Sequence, residues 1–460
     1  MRQKLIIISL MLIMGIFACK ETIKEPTVVE EDPITTPVTY DYPSYCAYFP
    51  PPAGVATFAL SQDYPQTFDA QNFPQPWKSI DFKQDYKAYM QAILDYCIEG
   101  NLAVDFRGQD NAVRKWYNAP WLDNDGHHPN DPQDPQNSGR EYHHGLTREI
   151  TINAKTLGPK QVNNYQTWAV AYYNEPGGYT LGQVWKNASN PDKNLSDFPE
   201  GTVCFKLLLT ETPLEEAPYL ENSLTWTANI FVPYNEKKER FDETVRLVQL
   251  DVSVKDNRAA TGWVYGTFTH NAAAGGAPED WVSRLVPVGM MWGDDSQDTT
   301  MLNINNQYNP SLKQSVINQE LLEANNPNRP PNAVFVTHLG QGGRMNGPVD
   351  NPISSCMSCH GRAAIDEDGD LASIANFNGQ PYTLAEFEEY FSEIPCGIQT
   401  IQQPQSDGSM KSYQTLDFSF QVANGLRNYH QVMQPTLKAG EKRDFKQLVL
   451  RDGSQIDLDK

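Results

Sequence analysis

The pattern Cys356-Met357-Ser358-Cys359-His360 constrains what this chain can fold into more than any other feature of its sequence. Two thiols three positions apart can add across the two vinyl groups on one edge of a haem, and the imidazole that follows can bind the iron. The pattern therefore predicts one covalent haem c, attached at Cys356 and Cys359 and ligated by His360. A chain with this site must fold around a large flat cofactor.

Three other uses of these residue types fit the sequence less well. A redox dithiol expects a thioredoxin-like βαβ setting, which the sequence around Cys356 does not have. A zinc site needs further ligands at short spacing, whereas Cys396, His338 and His430 lie well removed in the chain. A disulfide across two intervening residues would be strained. Haem attachment is the interpretation that the spacing favours.

The N-terminus indicates export from the cytoplasm. Residues 1–4 are basic and residues 5–17 form an apolar run too short to span a bilayer, which is typical of a signal peptide covering residues 1–18. The end of this run, Gly15-Ile16-Phe17-Ala18-Cys19, resembles the lipobox of bacterial lipoproteins, and the resemblance implies that Cys19 carries lipid. The alternative is an ordinary cleaved signal in which Cys19 is incidental.

The segment that follows Cys19 is expected to be a tether. Residues 19–43 are rich in Glu, Thr, Pro and Val without an amphipathic period, a composition that cannot bury enough apolar surface to fold. We therefore expect a protein of the bacterial cell envelope, lipid-anchored and periplasmic or facing the outer membrane. The membrane would be reached through Cys19.

The acidic composition limits the classes of partner. A formal net charge of −21 and an isoelectric point near 4.8 argue against nucleic acid as a ligand, because an acidic protein surface and the phosphate backbone repel each other. The same charge is compatible with a basic redox partner protein. Four of the seven cysteines remain after the lipid and haem sites are assigned, and their number permits two disulfides without fixing the pairing. These are Cys46, Cys97, Cys204 and Cys396. Cys97 and Cys204 lie in apolar patterns that suit free buried thiols equally well.

Hydrophobic periodicity predicts an α+β fold. An N-terminal helix is expected from Ser79 as its cap to Gly100, with apolar residues at three- and four-residue steps. Eight strands with turn-rich connections should then form an antiparallel sandwich or barrel. Their predicted bounds are 166–173, 179–185, 202–209, 224–232, 247–254, 262–269, 285–292 and 333–338. Residues 44–350 would be this β-rich body.

After the haem motif the period becomes helical. Thr383 and Glu386 form a capping box that opens one helix, and a second helix places Phe418, Leu426 and Met433 on one stripe. Residues 351–460 are therefore expected to be a mostly helical region that binds the haem, of the size of a small cytochrome c domain.

The chain resembles a family of bacterial single-haem c-type cytochrome lipoproteins with a large β-rich body. Besides the haem motif, the resemblance is carried by residues 140–147, 174–180, 261–268 and 285–293. A second resemblance, carried by residues 198–206, a Gly-Trp strand and the late haem motif, is to the β-fold haem proteins of the cytochrome c-prime-beta type. That resemblance implies a haem that rests on the sheet with its distal iron position open.

Electron transfer is the function predicted first. A six-coordinate iron would take His360 on one side and a thioether or second imidazole on the other. The candidate distal ligands are Met433, which the spacing favours, and then Met410, Met345, His338 and His430. Arg362, two residues after His360, is predicted to neutralise a haem propionate.

Two further functions stay open. A five-coordinate iron would instead bind and transform a small molecule such as peroxide, hydroxylamine or nitric oxide, with Arg, His and Trp of residues 114–144 polarising it. Alternatively, the β body would be a binding module that is tethered to a redox domain.

Overall fold

A computed structural model of the chain describes residues 53–55, 58–120, 140–187, 190–231, 240–299, 308–322, 330–377, 381–405 and 407–433. For residues 431–433 it describes the backbone only. The predicted signal peptide, the Cys19 anchor and the tether lie outside these residues. Cys46 and the side chain of Met433 do as well.

An antiparallel sheet of eight strands forms the centre of the molecule. The strands are β1 (Thr147–Ile152), β2 (Tyr165–Tyr173), β3 (Val203–Thr210), β4 (Thr225–Ile230), β5 (Phe241–Lys255), β6 (Trp263–His270), β7 (Leu285–Met291) and β8 (Ser315–Ile317). Their order is β1-β2-β3-β5-β6-β7-β8, and β4 pairs with the first half of the long β5. The α+β class and the antiparallel sheet are confirmed. Of the two predicted architectures, sandwich or barrel, the closed barrel is wrong, because β1 and β8 form open edges.

Five helices and a small second sheet complete the described fold. The helices are α1 (Tyr86–Ile98), α2 (Glu175–Val184), α3 (Cys356–His360), α4 (Leu384–Tyr390) and α5 (Phe420–Met433). The second sheet has the order β10-β11-β9, with β9 (Ala364–Ile365), β10 (Thr400–Pro404) and β11 (Met410–Thr415). The region after the haem motif is therefore not mostly helical, since β10 and β11 form a hairpin whose turn contains Gly408 at a φ of 83°.

Helix α1 begins seven residues later than the predicted cap at Ser79. Residues 79–84 form turns, and the Asp85 side chain caps the helix by accepting from the Ala88 amide at 3.0 Å. The helix ends before Gly100, which has a φ of 79°. Its apolar stripe, which includes Met90 and Ile93, is buried against the sheet.

The predicted hairpin across residues 166–185 is wrong in its second half. Residues 175–184 form α2, because Asn174 caps the helix and Pro176 fits its first turn, where no amide hydrogen bond is lost. Gly178 lets the helix lie against Tyr117: a β-carbon there would come within 2.4 Å of the Tyr117 ring. The Pro-Gly-Gly sequence that suggested a turn thus starts a closely packed helix.

The predicted strands differ from the observed ones at two edge strands and at one segment that is not a strand. β1 and the three-residue β8 were not predicted, and residues 333–338 do not form a strand. Val334 and Val336 are buried in that segment, which explains its apolar alternation. Among the described residues, the Val336 amide donates only to the Leu321 carbonyl, at 3.0 Å. No ladder of strand hydrogen bonds continues from this contact.

The two faces of the central sheet differ sharply in chemistry. On one face, which we call the apolar face, alternate strand residues join α1 in the main hydrophobic core. These residues include Trp168, Val170 and Tyr172 of β2, Phe205 and Leu207 of β3, and Val252 and Val254 of β5. On the opposite face, which we call the cavity face, the intervening residues border a cavity that the haem motif also lines.

Candidate functional site

The haem motif lies on the short helix α3, whose first residue is Cys356. Ser355 caps this helix: its hydroxyl accepts from the Ser358 amide at 2.9 Å, and the Ser358 hydroxyl accepts from the Ser355 amide at 2.8 Å. This reciprocal capping box follows from the Ser-x-x-Ser spacing of the motif itself. Asp294 accepts a hydrogen bond from the Ser355 hydroxyl at 2.7 Å, which fixes the start of α3 to the end of β7.

The His360 ring is held in one tautomer by a residue far along the chain. Its Nδ1 lies 3.0 Å from the Phe418 carbonyl, and only a protonated Nδ1 can donate to a carbonyl oxygen. The ring packs against Tyr265 and Phe420, with centroid distances of 4.6 and 5.3 Å. Burial lowers the pKa of His360 to about 4, in spite of the opposing hydrogen bond to Phe418. The imidazole is therefore neutral at pH 7 and offers Nε2 as a ligand atom.

The Phe418 carbonyl is presented by an unusual turn. Asp417 and Phe418 have φ angles of 45° and 69°, a left-handed conformation that costs a non-glycine residue about 1 kcal/mol or more. The fully buried Asp417 carboxylate holds the turn by accepting five hydrogen bonds. The donors are the Lys255 ammonium to both oxygens (2.7 and 2.6 Å), the Trp263 indole (2.8 Å), the Phe198 amide (2.8 Å) and the Gly397 amide (2.8 Å).

A cavity of about 250 Å³ lies between the haem motif and the sheet. Cys356, Cys359 and His360 line it on one side. The cavity face of the sheet lines it on the other, in two rows of cross-strand neighbours. The rows are Cys204–Ser253–Tyr265 and Lys206–Asp251–Thr267, each running across β3, β5 and β6.

The alternation along β5 explains this wall. Val252 and Val254 are buried in the apolar face, while Asp251 and Ser253 between them point the other way. The sequence predicted these polar residues to be a solvent-exposed face. They instead border the cavity and are half-buried, because the loop at residues 346–354 and the start of α5 cover them.

Charged side chains of both signs line the cavity. The cations are Arg140, Arg148, Lys206 and Arg427, and the acids are Glu149, Asp251 and Asp350. Burial and the neighbouring Asp350 charge raise the pKa of Asp251 to about 7, although Lys206 and two hydrogen bonds act in the other direction. Those bonds come from Gln249 and Thr267, at 2.7 and 2.8 Å.

Neither thiol of the motif is disulfide-bonded, so no disulfide closes the site. Burial raises the pKa of the Cys356 thiol well above its usual range. Cys97 and Cys204 are free, which leaves no disulfide between them. Cys396 is disulfide-bonded. Two unbridged thiols and a neutral imidazole on one cavity fit a covalently attached haem.

Several predicted site residues lie away from this cavity. Arg362 is buried but directs its guanidinium to the Ser358 carbonyl and the Ser392 hydroxyl, at 3.4 and 3.0 Å. The Nε2 of His338 lies 2.9 Å from the Asp350 carbonyl. Met410 is exposed on β11, at 59% of its surface.

Of the remaining candidate ligands that the structure describes, Met345 lies next to the motif but is not part of the cavity lining. Met345 is fully buried, with its sulfur 4.0 Å from that of Cys356. His430 packs over Gly369. On α5 the cavity-lining positions are Phe420, Gln421, Asn424 and Arg427, and the side chain of Met433 lies outside the described residues. Among the described residues that line the cavity, His360 supplies the only imidazole, and no thioether is present.

Residues 121–139 of the predicted region 114–144 lie outside the described ranges, and of its described residues the structure brings Arg140 to the cavity. Its guanidinium donates to the Gly145 carbonyl at 2.7 Å. His143 and His144 lie instead beside Asp242 and Asp105, at 3.5 and 3.3 Å, and the His144 ring stacks on Trp226 at 4.1 Å. Within the described parts of the chain, no group of three or more His, Cys, Asp or Glu side chains is arranged to hold a metal ion.

Sequence reasoning missed Lys206, Tyr265 and Phe418 as site residues. Lys206 and Tyr265 could be recognised as members of strand patterns. Lys206 gives the stronger signal, because it interrupts the apolar run of β3. Phe418 acts through its carbonyl, for which a side-chain pattern carries no signal.

The comparisons with known proteins add no relatives. No protein-family profile, curated protein or solved structure matches the chain. None of the helices in the described residues combines the length and hydrophobicity that a membrane crossing requires.

Proposed function

We propose that this chain carries one haem c, bonded through sulfur to Cys356 and Cys359 and ligated by His360 Nε2. One observation carries the proposal: two thiols outside any disulfide line the same cavity as a neutral imidazole whose Nδ1 is already engaged by the Phe418 carbonyl. A hydrogen bond from the second ring nitrogen to a backbone carbonyl is the arrangement that orients a metal-binding histidine. When bound, the haem supplies an iron that changes valence and takes up small ligands.

We propose further that the iron is five-coordinate and that the protein binds and transforms a small molecule. The described cavity lining offers no second imidazole and no thioether to occupy the distal position. It offers a polar wall instead, with Lys206, Asp251 and Thr267 facing the space beside the motif. Such a wall suits a small polar substrate such as peroxide, hydroxylamine or nitric oxide.

The residues of the chain have separate tasks in this proposal. Tyr265 and Phe420 sandwich the His360 ring and keep its orientation fixed. The sheet and the loop at residues 346–354 enclose the space and limit access of water, which strengthens each electrostatic contact inside it. Lys206 and Asp251 supply a cation and a carboxyl group beside the substrate.

Electron transfer, the function that the sequence predicts first, is the second candidate. It requires a sixth ligand, and Met433 is the candidate whose side chain lies outside the described residues. The net charge of −21 would complement a basic redox partner. A tethered binding module has no observation of its own to favour it.

We also propose export and lipid anchoring through Cys19. The support comes from the sequence: a signal peptide at residues 1–18, a lipobox-like end and a tether at 19–43. Thioether attachment of haem in bacteria takes place outside the cytoplasmic membrane, as the resemblance to c-type cytochromes implies. The two signals lie at opposite ends of the chain and agree.

The test is expression in a host that matures c-type cytochromes. After denaturation and washing with acid–acetone, the protein should keep its colour and give a pyridine haemochrome with one haem per chain. The double variant Cys356→Ala/Cys359→Ala should be colourless after the same wash, with Cys97→Ala as the matched control that keeps its haem. Colourless wild-type protein would overturn the proposal.

Coordination is tested on the same preparation by visible spectroscopy. A high-spin ferric spectrum, together with uptake of carbon monoxide by the ferrous protein without displacement of a ligand, supports the small-molecule function. A methionine–iron band near the red end of the spectrum, or a low-spin spectrum with two histidines, would transfer the proposal to electron transfer.

A further inference from the structure

Lys206 is the one lysine on the cavity wall, and its ammonium is poorly paired. Its Nζ lies 3.7 Å from the nearest Asp251 carboxylate oxygen, which is an ion-pair distance but too long for a hydrogen bond. No other residue in the described ranges accepts a hydrogen bond from this ammonium, although it has three N–H donors. Its side chain keeps 28% of its surface accessible.

The charge of Lys206 is maintained by its neighbours. Burial by itself would lower the pKa of this lysine, but the nearby Glu149, Asp251 and Asp350 carboxylates raise it above its usual range. Asp251 is kept in place by Gln249 and Thr267, and the Gln249 amide also donates to Asp350 at 3.0 Å. The wall thus presents a fixed positive charge with free donors.

The strand register places this charge on the same cavity wall as Tyr265, which the ring of the iron ligand His360 contacts. Lys206 pairs with Asp251 across β3 and β5, and Asp251 pairs with Thr267 across β5 and β6. The adjacent row of the sheet ends in Tyr265, on which the His360 ring packs. Lys206 and Tyr265 are two strands and two residues apart, about 12 Å between their backbones, and the extended lysine side chain covers about half of that distance.

We propose that Lys206 is the anchor for a small anionic ligand at the open iron position, so that the substrate class is a small oxygen- or nitrogen-bearing anion. This inference rests on the proposed small-molecule function and narrows it, because peroxide, hydroxylamine and nitric oxide are neutral at pH 7 and an ammonium favours anions over them. Anions of this class gain a charge-assisted hydrogen bond from the ammonium as well as the bond to the iron. A neutral diatomic ligand gains much less.

A haem propionate is the other anion that Lys206 could meet. The two vinyl groups that bond to the cysteines lie on the edge of a haem opposite to the propionates. Besides its burial, the Cys356 thiol senses the charges of Asp350, Asp251 and Lys206, so this cluster lies near the thiol side of the cavity. Arg140, Arg148 and Arg427 also line the cavity, and their guanidinium forks match carboxylates better than an ammonium does.

The experiment measures ligand binding to the purified holoprotein. The ferric form is titrated with azide and with nitrite while the Soret band is followed, and the ferrous form is titrated with carbon monoxide. Lys206→Met should weaken both anions about 10-fold or more, because a hydrogen bond to a charged group is lost, and should leave the carbon monoxide affinity within about twofold. Lys87→Met, at an exposed position of α1 behind the apolar face, is the matched control and should change none of the three.

The outcomes separate this inference from the proposed function. Full haem content with unchanged anion affinities in Lys206→Met overturns the inference and leaves the proposed function standing. Unchanged anion affinities with a lowered midpoint potential assign Lys206 to a propionate and overturn it equally. A wild-type protein with a six-coordinate iron that refuses azide overturns this inference and the small-molecule function, and leaves haem attachment with electron transfer. Should Lys206→Met fail to fold, Lys206→Gln keeps a polar side chain of similar reach, and the same loss is expected.

Discussion

The two faces of the central sheet are built from the same strands and perform different tasks. Phe205 and Val252 belong to the apolar face, where they pack with α1 and a group of aromatic rings. Their chain neighbours Lys206 and Asp251 point to the cavity face and keep charges next to the haem motif. Burying charge is costly, so the second face weakens the fold unless the first supplies the cohesion. The comparison teaches that one strand can carry stability on one side and chemistry on the other.

The largest effect should come from a cavity cut into the apolar face. Phe205→Ala removes a fully buried ring that contacts Trp116 at 4.8 Å and Tyr172 at 5.0 Å between centroids. We expect the free energy of unfolding to fall by about 4 kcal/mol in denaturant titrations. Ser253→Ala, on the cavity face of β5, is the matched control and should cost less than about 1 kcal/mol. Equal losses in the free energy of unfolding would mean that the apolar face does not contribute more stability than the cavity face.

The turn that orients His360 should be the next most sensitive point. Asp417→Asn leaves the Lys255 ammonium buried without its carboxylate, and we expect a loss of about 3 kcal/mol in the free energy of unfolding. Because the Phe418 carbonyl would lose its support, the ferric Soret band should also shift. The double variant Lys255→Met/Asp417→Asn removes the unpaired charge and should recover much of the stability but not the spectrum. Recovery of both would show that Asp417 acts on stability alone.

A smaller effect is expected from pH. Burial raises the pKa of Asp294 to about 7 from an ordinary 3.8, so the folded protein binds a proton there that the unfolded chain has released. This group therefore destabilises the fold increasingly as pH rises from about 4 to about 7, and fully above that. Between pH 5 and pH 8 its contribution should fall by about 2 kcal/mol.

The measurement compares unfolding free energies of the wild type and Asp294→Asn at both pH values. The variant should lose about 2 kcal/mol less than the wild type over this interval, since an amide does not titrate. Asp95→Asn, at an exposed position of α1, controls for the removal of one negative charge. Parallel curves for the wild type and Asp294→Asn would contradict the prediction.

The smallest effect should come from the helix caps, where the cap of α3 can be compared with the cap of α4. Ser355→Ala and Thr383→Ala each remove a capping box, from α3 and from α4, and each should cost about 1 kcal/mol of stability. Only α3 carries the attachment residues, so only Ser355→Ala should lower the fraction of chains that hold haem. A similar drop in haem content for Thr383→Ala would assign the effect to general destabilisation.

Part of this architecture was predictable because its signals are local. The two capping boxes follow from three-residue spacings, and β5 follows from the alternation of Val252 and Val254 with Asp251 and Ser253. The same local signals misled at α2, where Asn174 and Pro176 suit a helix start as well as a turn. They also misled at residues 333–338, where buried alternation occurs without a partner strand.

The sequence by itself determined that two thiols and an imidazole stand at the spacing on which the haem proposal rests, and it determined the alternation that divides each strand into two faces. The tertiary structure alone decided what covers each face. The Phe418 carbonyl meets His360 across 58 residues, and Lys206 meets Asp251 only because β3 and β5 pair in one register. The physical reason is that backbone period and capping depend on neighbours a few residues apart, whereas the pairing of distant segments depends on the packing of the whole chain.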